Sequence, residues 1–250
     1  MKYFCVTDVH GFYKLLRDGL DKAGFDPNNK EHVLVSCGDL LDRGPQPREC
    51  LEYVMSLPRK ILICGNHEDL MEQAIARGFF LYHDHSNGTV ETAMNLTGEA
   101  KPELATLGMR NVAVYNEYIH ELVNYHETDH YVFVHGWIPC IGGTSKGYRP
   151  YEGDWRNASI KDWQDARWYN GMEAWHDGVR VDGKTILCGH WHSSWGNCKF
   201  HNDGMEFPNY RSTNPEHRRA NFGPFMDDGI IAFDACTAYS HRLNVITLED

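Results

Sequence analysis

Val33-Leu34-Val35-Ser36-Cys37 runs directly into Gly38-Asp39-Leu40-Leu41-Asp42-Arg43-Gly44. The first five residues read as a buried strand, the next seven as a polar loop, and residues 47–55 have helical spacing. The same unit flanks it on both sides. Upstream, residues 2–7 read as a strand, Asp8-Val9-His10-Gly11 as a loop, and 12–23 as a helix with Leu15, Leu16, Leu20 and Ala23 on one face. Downstream come a strand at 60–64, Gly65-Asn66-His67-Glu68, and a helix at 70–77. Strand–loop–helix in succession predicts parallel strands in an α/β fold. Such sheets gather their ligands at the carboxyl ends of the strands, where all three polar segments fall.

The rhythm loosens beyond residue 77. Residues 78–102 are expected to be loop with one short helix, and 103–122 to be helical. Strands are expected at 131–134, ending in His135-Gly136, and at 185–188, ending in Gly189-His190-Trp191-His192. All seven Trp fall between 137 and 195, so 137–183 reads as a Trp-rich cap with one helix around 159–168. Two readings of those rings stand: packing of a cap on the sheet, or an aromatic wall that stacks a base or side chain. Residues 193–229 read as a long surface loop carrying Arg211, Arg218 and Arg219 beside Phe207, Tyr210 and Phe222. Strands at 230–234 and 243–248 follow. No repeat or linker interrupts the chain, and 1–250 reads as a single domain.

Composition narrows the function classes. Lys and Arg total 24 and Asp and Glu 35, a net charge of −11. A chain this acidic does not grip duplex nucleic acid through its phosphates. Mean hydropathy is −0.54, and no apolar run approaches the ~18 residues of a membrane span. Met1 to Asp8 turns polar too soon for a signal peptide. The eight Cys include no C-x-x-C pair and sit largely in apolar runs such as 33–37. They read as small hydrophobes in a reduced, cytoplasmic protein.

Five predicted strand ends carry metal-competent side chains: Asp8 with His10, Asp39 with Asp42 and Arg43, Asn66 with His67, His135, and His190 with His192. One such cluster would be an ordinary polar turn. Five on separate loops at one end of a sheet point to a shared site. Carboxylate, imidazole and amide ligands suit Mn, Fe or Zn, and there are enough for two ions if one carboxylate bridges them.

The order D-x-H-G, G-D-x-x-D-R-G, G-N-H-E, H-G and G-H-x-H resembles the calcineurin-like metallophosphoesterases. The likeness is greatest to the phosphoprotein phosphatase branch, with its protein phosphatases and symmetrical dinucleoside tetraphosphatases. It spans residues 2–192, and a terminal hairpin over 231–248 also fits. The resemblance implies a four-layer α-β-β-α sandwich of two mixed sheets flanked by helices. It implies two divalent metals, Mn²⁺ first among them, holding a bridging hydroxide. Asp8, His10 and Asp39 match one metal site, with Asp39 bridging; Asn66, His135 and His190 match the other. His192 matches the second His of G-H-x-H. His67 resembles the general acid, Asp42 the carboxylate that orients it, and Arg43 a phosphate clamp, with Asn66 nearby. Arg167 sits where the family places another phosphate-binding Arg. Cys64 stands where the family commonly has Arg.

The reaction implied is hydrolysis of a phosphoester in a phosphoprotein or a nucleotide. The leading expectation is a phosphomonoesterase of the serine/threonine protein phosphatase type. The alternatives are a dinucleoside polyphosphate hydrolase, a phosphodiesterase suggested by His192, and a metal-holding scaffold that binds partners through its cap.

Overall fold

Alternation within the strands builds the layers. The computed structural model describes residues 1–143 and 146–250. Its strands are β1 (Lys2–Val6), β2 (His32–Ser36), β3 (Lys60–Leu62), β4 (His126–Glu127), β5 (Tyr131–Phe133), β6 (Cys140–Gly143), β7 (Gly147–Pro150), β8 (Thr185–Cys188), β9 (Phe225–Asp227), β10 (Ile230–Ala232) and β11 (Ile246–Glu249). One sheet has the order β11-β1-β2-β3, the other β4-β5-β8-β10-β9. The first is a parallel set with one antiparallel edge strand, β11, and the second a parallel set between two antiparallel edge strands, β4 and β9.

Successive residues of a strand point to opposite faces. Cys5, Val35, Phe133, Leu187 and Ile231 therefore meet between the two sheets, with Cys37, Ile63 and Phe233. Their neighbours Phe4, Val6 and Leu34 face outward onto helices that supply Leu16, Leu20, Leu51 and Tyr118. On the far side Val132, Val134, Ile186 and Ile230 face Trp137, Trp155, Trp163 and Trp175. The result is the expected α-β-β-α sandwich of two mixed sheets. Four of the seven Trp are buried packing for the second sheet. Trp168 is 49% exposed, with its ring 5.6 Å from that of His190.

Several elements differ from expectation. Residues 78–102 hold two helices, Tyr82–Asn87 and Thr89–Thr97, joined through left-handed Gly88. The helix expected at 103–122 is broken into Pro102–Gly108, a 3₁₀ turn Met109–Asn111 and Ala113–Glu121, because β-branched Val112 is extended between them. The cap adds the β6–β7 hairpin and the helix Gly171–His176. The expected 193–229 loop opens with the helix Ser193–His201, stopped by left-handed Asn202. A terminal hairpin does not form. β10 pairs with β9 across Asp228-Gly229, a sequence suited to a tight hairpin turn. The short helix Thr237–Ser240, flanked by left-handed Cys236 and His241, carries the chain to the other sheet, where β11 pairs with β1. Among the described residues no helix is long and apolar enough to cross a membrane.

Candidate active site

The loops after β1, β2 and β8 are wound tightly. Asp8, His10, Asp39, Asp42, Arg43 and His190 all have positive φ, between 49° and 69°. Such backbone is costly for residues other than glycine and persists only where the surroundings enforce it. Here the loops brace one another: Asp8 N donates to Gly38 O, His10 N to Asp39 O, and Gly11 N to Leu40 O, at 3.1, 3.0 and 2.9 Å. Gly38 has φ +89°, and a Cβ on it would lie 2.6 Å from His135 Nδ1. The buried carboxylate of Glu68 accepts from Asp39 N, Leu40 N and Gly65 N, and from the Tyr118 hydroxyl. It ties the second and third loops together, a role its place in G-N-H-E did not announce.

These loops gather two groups of side chains around Asp39. His10, Asp39 and His67 form one, and Asp39, His135 and His190 the other. Asp39 Oδ2 lies 3.8 Å from His10 Nε2, and Asp39 Oδ1 lies 3.4 Å from His135 Nε2. Asp8 Oδ1 is 3.9 Å from His10 Nε2, while its Oδ2 accepts from Thr7 Oγ1 and His190 N. Asp8, Asp39, His10 and His135 are almost fully buried. Burial and the neighbouring His67 and Arg43 hold His10 well below the usual imidazole range. Burial and His135 bring His190 down to about 3. Both are therefore neutral lone-pair donors at physiological pH.

The donor set fits metal ions. His10 Nδ1 faces Leu41 O at 3.0 Å and His135 Nδ1 faces Cys37 O at 2.8 Å. A carbonyl partner puts the ring proton on Nδ1 and leaves the Nε2 lone pair turned inward. His135 Nε2 then faces Asn66 Oδ1 at 2.8 Å, in the amide orientation of this structure, as well as Asp39 Oδ1. An imidazole nitrogen, an amide oxygen and a carboxylate oxygen converge, a donor set that a divalent cation satisfies.

Beside this centre, His67 Nδ1 pairs with Asp42 Oδ2, which also accepts from Thr89 Oγ1. Asp42 N donates to Thr92 Oγ1. Arg43 spans the mouth, donating from Nη1 to His10 Nε2 at 3.0 Å and placing Nη2 3.0 Å from His67 Nε2. Its two terminal amino groups thus reach both imidazoles of the first group.

Two of the residues read from the sequence lie outside this cluster. His192 Nε2 meets Glu206 Oε1 at 2.8 Å, although the ring lines a 230 Å³ cavity with His10, Arg43 and His190. Arg167 is nine-tenths buried and donates to Asp69 and Asn124, in a separate cavity beside Cys64. Conversely, Asp234 and Cys236 line the same cavity as His10, Arg43 and His190 and were not among the residues expected there. Asp234 ends an apolar strand, the same signal that picked out Asp8 and Asp39. Thr89 carried no signal, because its helix was read as loop.

Comparison with known proteins places the chain. It is 47% identical over 74 residues to the symmetrical bis(5'-nucleosyl)-tetraphosphatase of Aeromonas salmonicida, a stretch covering 29% of this chain and 26% of that protein. The corresponding enzyme of Proteus mirabilis is 41% identical over 69 residues, 27% of this chain and 24% of that one. The matched stretch thus spans about a quarter of the length of these curated relatives. The crystal structure of a candidate diadenosine tetraphosphatase aligns with a TM-score of 0.53 at 15% identity, covering 99% of this chain and 89% of that one. A cold-active protein-tyrosine phosphatase from a psychrophilic Shewanella aligns with a TM-score of 0.52 at 16% identity, covering 100% and 75%. At such identities the likeness is one of fold. The sequence profile of the calcineurin-like phosphoesterases matches residues 1–211, and the chain belongs to that family.

Proposed function

We propose that the chain is a metal-dependent phosphoester hydrolase in which Asp8, His10 and Asp39 hold one divalent ion and Asp39, Asn66, His135 and His190 a second. When bound, the ions supply Lewis-acid charge and a hydroxide nucleophile at neutral pH. Mn²⁺ is the metal we propose, with Fe and Zn as alternatives that the ligand set also suits. The chain's own residues do the rest. Arg43 donates its two terminal N–H groups to phosphoryl oxygens, a fork that lysine does not reproduce. Asn66 helps to frame the same oxygens. His67 Nε2 gives its proton to the departing oxygen while Asp42 holds the ring through Nδ1. The observation that carries this reading is the buried Asp42–His67 pair set against Asp39. A scaffold that only held metal would have no use for it.

Of the substrate classes, a dinucleoside polyphosphate has the most support. The stretch shared with the tetraphosphatases and the rings of Trp168 and Trp191 beside His190 favour it. A phosphoserine or phosphothreonine protein is the second reading, favoured by the acid pair, since an alkoxide needs a proton to leave. Eight free thiols, five of them buried, support a reducing, cytoplasmic setting. The test is turnover of p-nitrophenyl phosphate with Mn²⁺, followed by a panel of diadenosine tetraphosphate, a phosphopeptide and bis-p-nitrophenyl phosphate. No turnover of any of these in protein carrying two metal ions would reject the hydrolase reading.

A further inference from the structure

The segment read from sequence as a solvated loop encloses a cavity of about 430 Å³ next to the catalytic one. Its walls include Arg218, Arg219, Arg242, Tyr210, Tyr239 and Phe222. The volume falls within the ~300–1,000 Å³ of small-molecule sites. Arg219 is neutralised by Asp203 and Glu216. Among the described residues Arg218 donates only its Nε, to Ser212 O, and no hydrogen bond holds the Arg242 guanidinium. Neither has a carboxylate partner among the described residues. Two uncommitted guanidinium groups facing one cavity, in a chain of net charge −11, form a local site for anions. The rings add a second preference. Tyr210 is 73% and Tyr239 49% exposed, which leaves planar faces open to a flat ligand.

An aromatic wall stands between this cavity and the catalytic one. The ring of His192, which lines the catalytic cavity, lies 4.8 Å from Phe207, and Phe207 lies 5.1 Å from Tyr239. The short helix Thr237–Ser240 separates the two spaces: Cys236 before it lines the first, and Tyr239 and Ser240 line the second. We propose that this cavity is a subsite for the remote portion of the substrate, an aromatic base with its attached phosphate, while the scissile phosphoryl group sits at Asp39. Arg218 and Arg242 would receive the phosphate and the tyrosines the base. The assignment rests on the hydrolase reading and narrows its substrate to nucleoside polyphosphates.

The test uses full-length, metal-loaded protein and the double variant Arg218→Gln/Arg242→Gln. Both side chains are exposed, and neither belongs to the catalytic machinery. The probe is α,β-methylene-ADP, read as inhibition of p-nitrophenyl phosphate turnover and as direct binding by calorimetry. The variant should bind it ~10–100-fold more weakly, the effect of losing charge-assisted hydrogen bonds. Its turnover of p-nitrophenyl phosphate and its inhibition by inorganic phosphate should match the parent. Tyr239→Ala should weaken the nucleotide analogue and leave inorganic phosphate alone. Unchanged affinity for the analogue in the double variant would overturn the proposal. So would an equal loss for inorganic phosphate, or a dependence on these arginines seen with an acidic phosphopeptide and not with the analogue. If no phosphoester is turned over, the hydrolase reading fails by itself and calorimetry still decides the subsite.

Discussion

Asp42 Oδ2 stands 2.8 Å from His67 Nδ1, and both side chains are almost fully buried. The contact does two things. It fixes a proton on Nδ1, so Nε2 is the atom turned toward the site. It also helps the ring to hold its charge: burial opposes the imidazolium, but Asp39 and Asp42 outweigh burial and raise the pKa. Thr89 Oγ1, from a helix far along the chain, donates to the same carboxylate oxygen and holds it in place.

A general acid matters most when the leaving group is poor. His67→Asn should slow an alkyl phosphate by ~10²–10⁴ and p-nitrophenyl phosphate far less, with metal content unchanged. Rates on both substrates from the same preparation check this. A uniform loss would remove His67 from the acid role.

Asp39 belongs to both clusters. Asp39→Asn should therefore lower metal content at both positions together, whereas His10→Ala should chiefly lower one. Elemental analysis of protein loaded to saturation reads the difference. One ion or fewer per active chain in the parent would contradict a binuclear centre.

Arg43→Ala should leave metal content intact and reduce kcat/KM by ~10–100-fold, the effect of losing charge-assisted hydrogen bonds. Inorganic phosphate should inhibit the parent well and the variant poorly. Equal inhibition of the two would place Arg43 outside the phosphate site.

Glu127 is held by Arg156 and Lys184, and the Arg156 hydrogen bonds above all bring its carboxyl down to about 2. A depressed folded-state pKa gives stability that is full above the unfolded value, near 4.5, and fades as pH falls toward 2. Glu127→Gln should therefore cost about 1 kcal/mol at pH 7, the scale of a partly exposed ion pair. The gap to the parent should narrow at pH 3. Thermal melts at the two pH values decide it, and a gap that widens in acid would refute the assignment.

Phe133 is fully buried between the two sheets. Phe133→Ala should remove ~3–5 kcal/mol through lost burial and a residual cavity. Urea unfolding of metal-loaded protein gives the value. A cost below about 1 kcal/mol would mean that the sheets do not share this core.

The strands and the metal-competent residues were legible because both follow local rules. An apolar run with period-two faces makes a strand, and parallel strands bring their carboxyl ends together. Asp8, Asp39 and Asn66 therefore gather at the end of one sheet and His135 and His190 at the end of the other, with Asp42 and His67 on the first set of loops; the stacking of the two sheets brings the sets together. Asp234 obeyed the same rule and was passed over because it lacked a second polar motif. The sequence alone thus determined the parallel strands and the residue types at their ligand ends. The tertiary structure decided which neighbour each long side chain chose. His192 turned to Glu206, Arg167 to Asp69 and Asn124, and Thr89 to Asp42 across 47 residues. It also sent β10 and β11 to different sheets and folded the arginine-bearing segment around a cavity. Those outcomes depend on contacts between distant segments, where several partners of similar chemistry compete and packing selects among them, so no periodicity or motif spells them out.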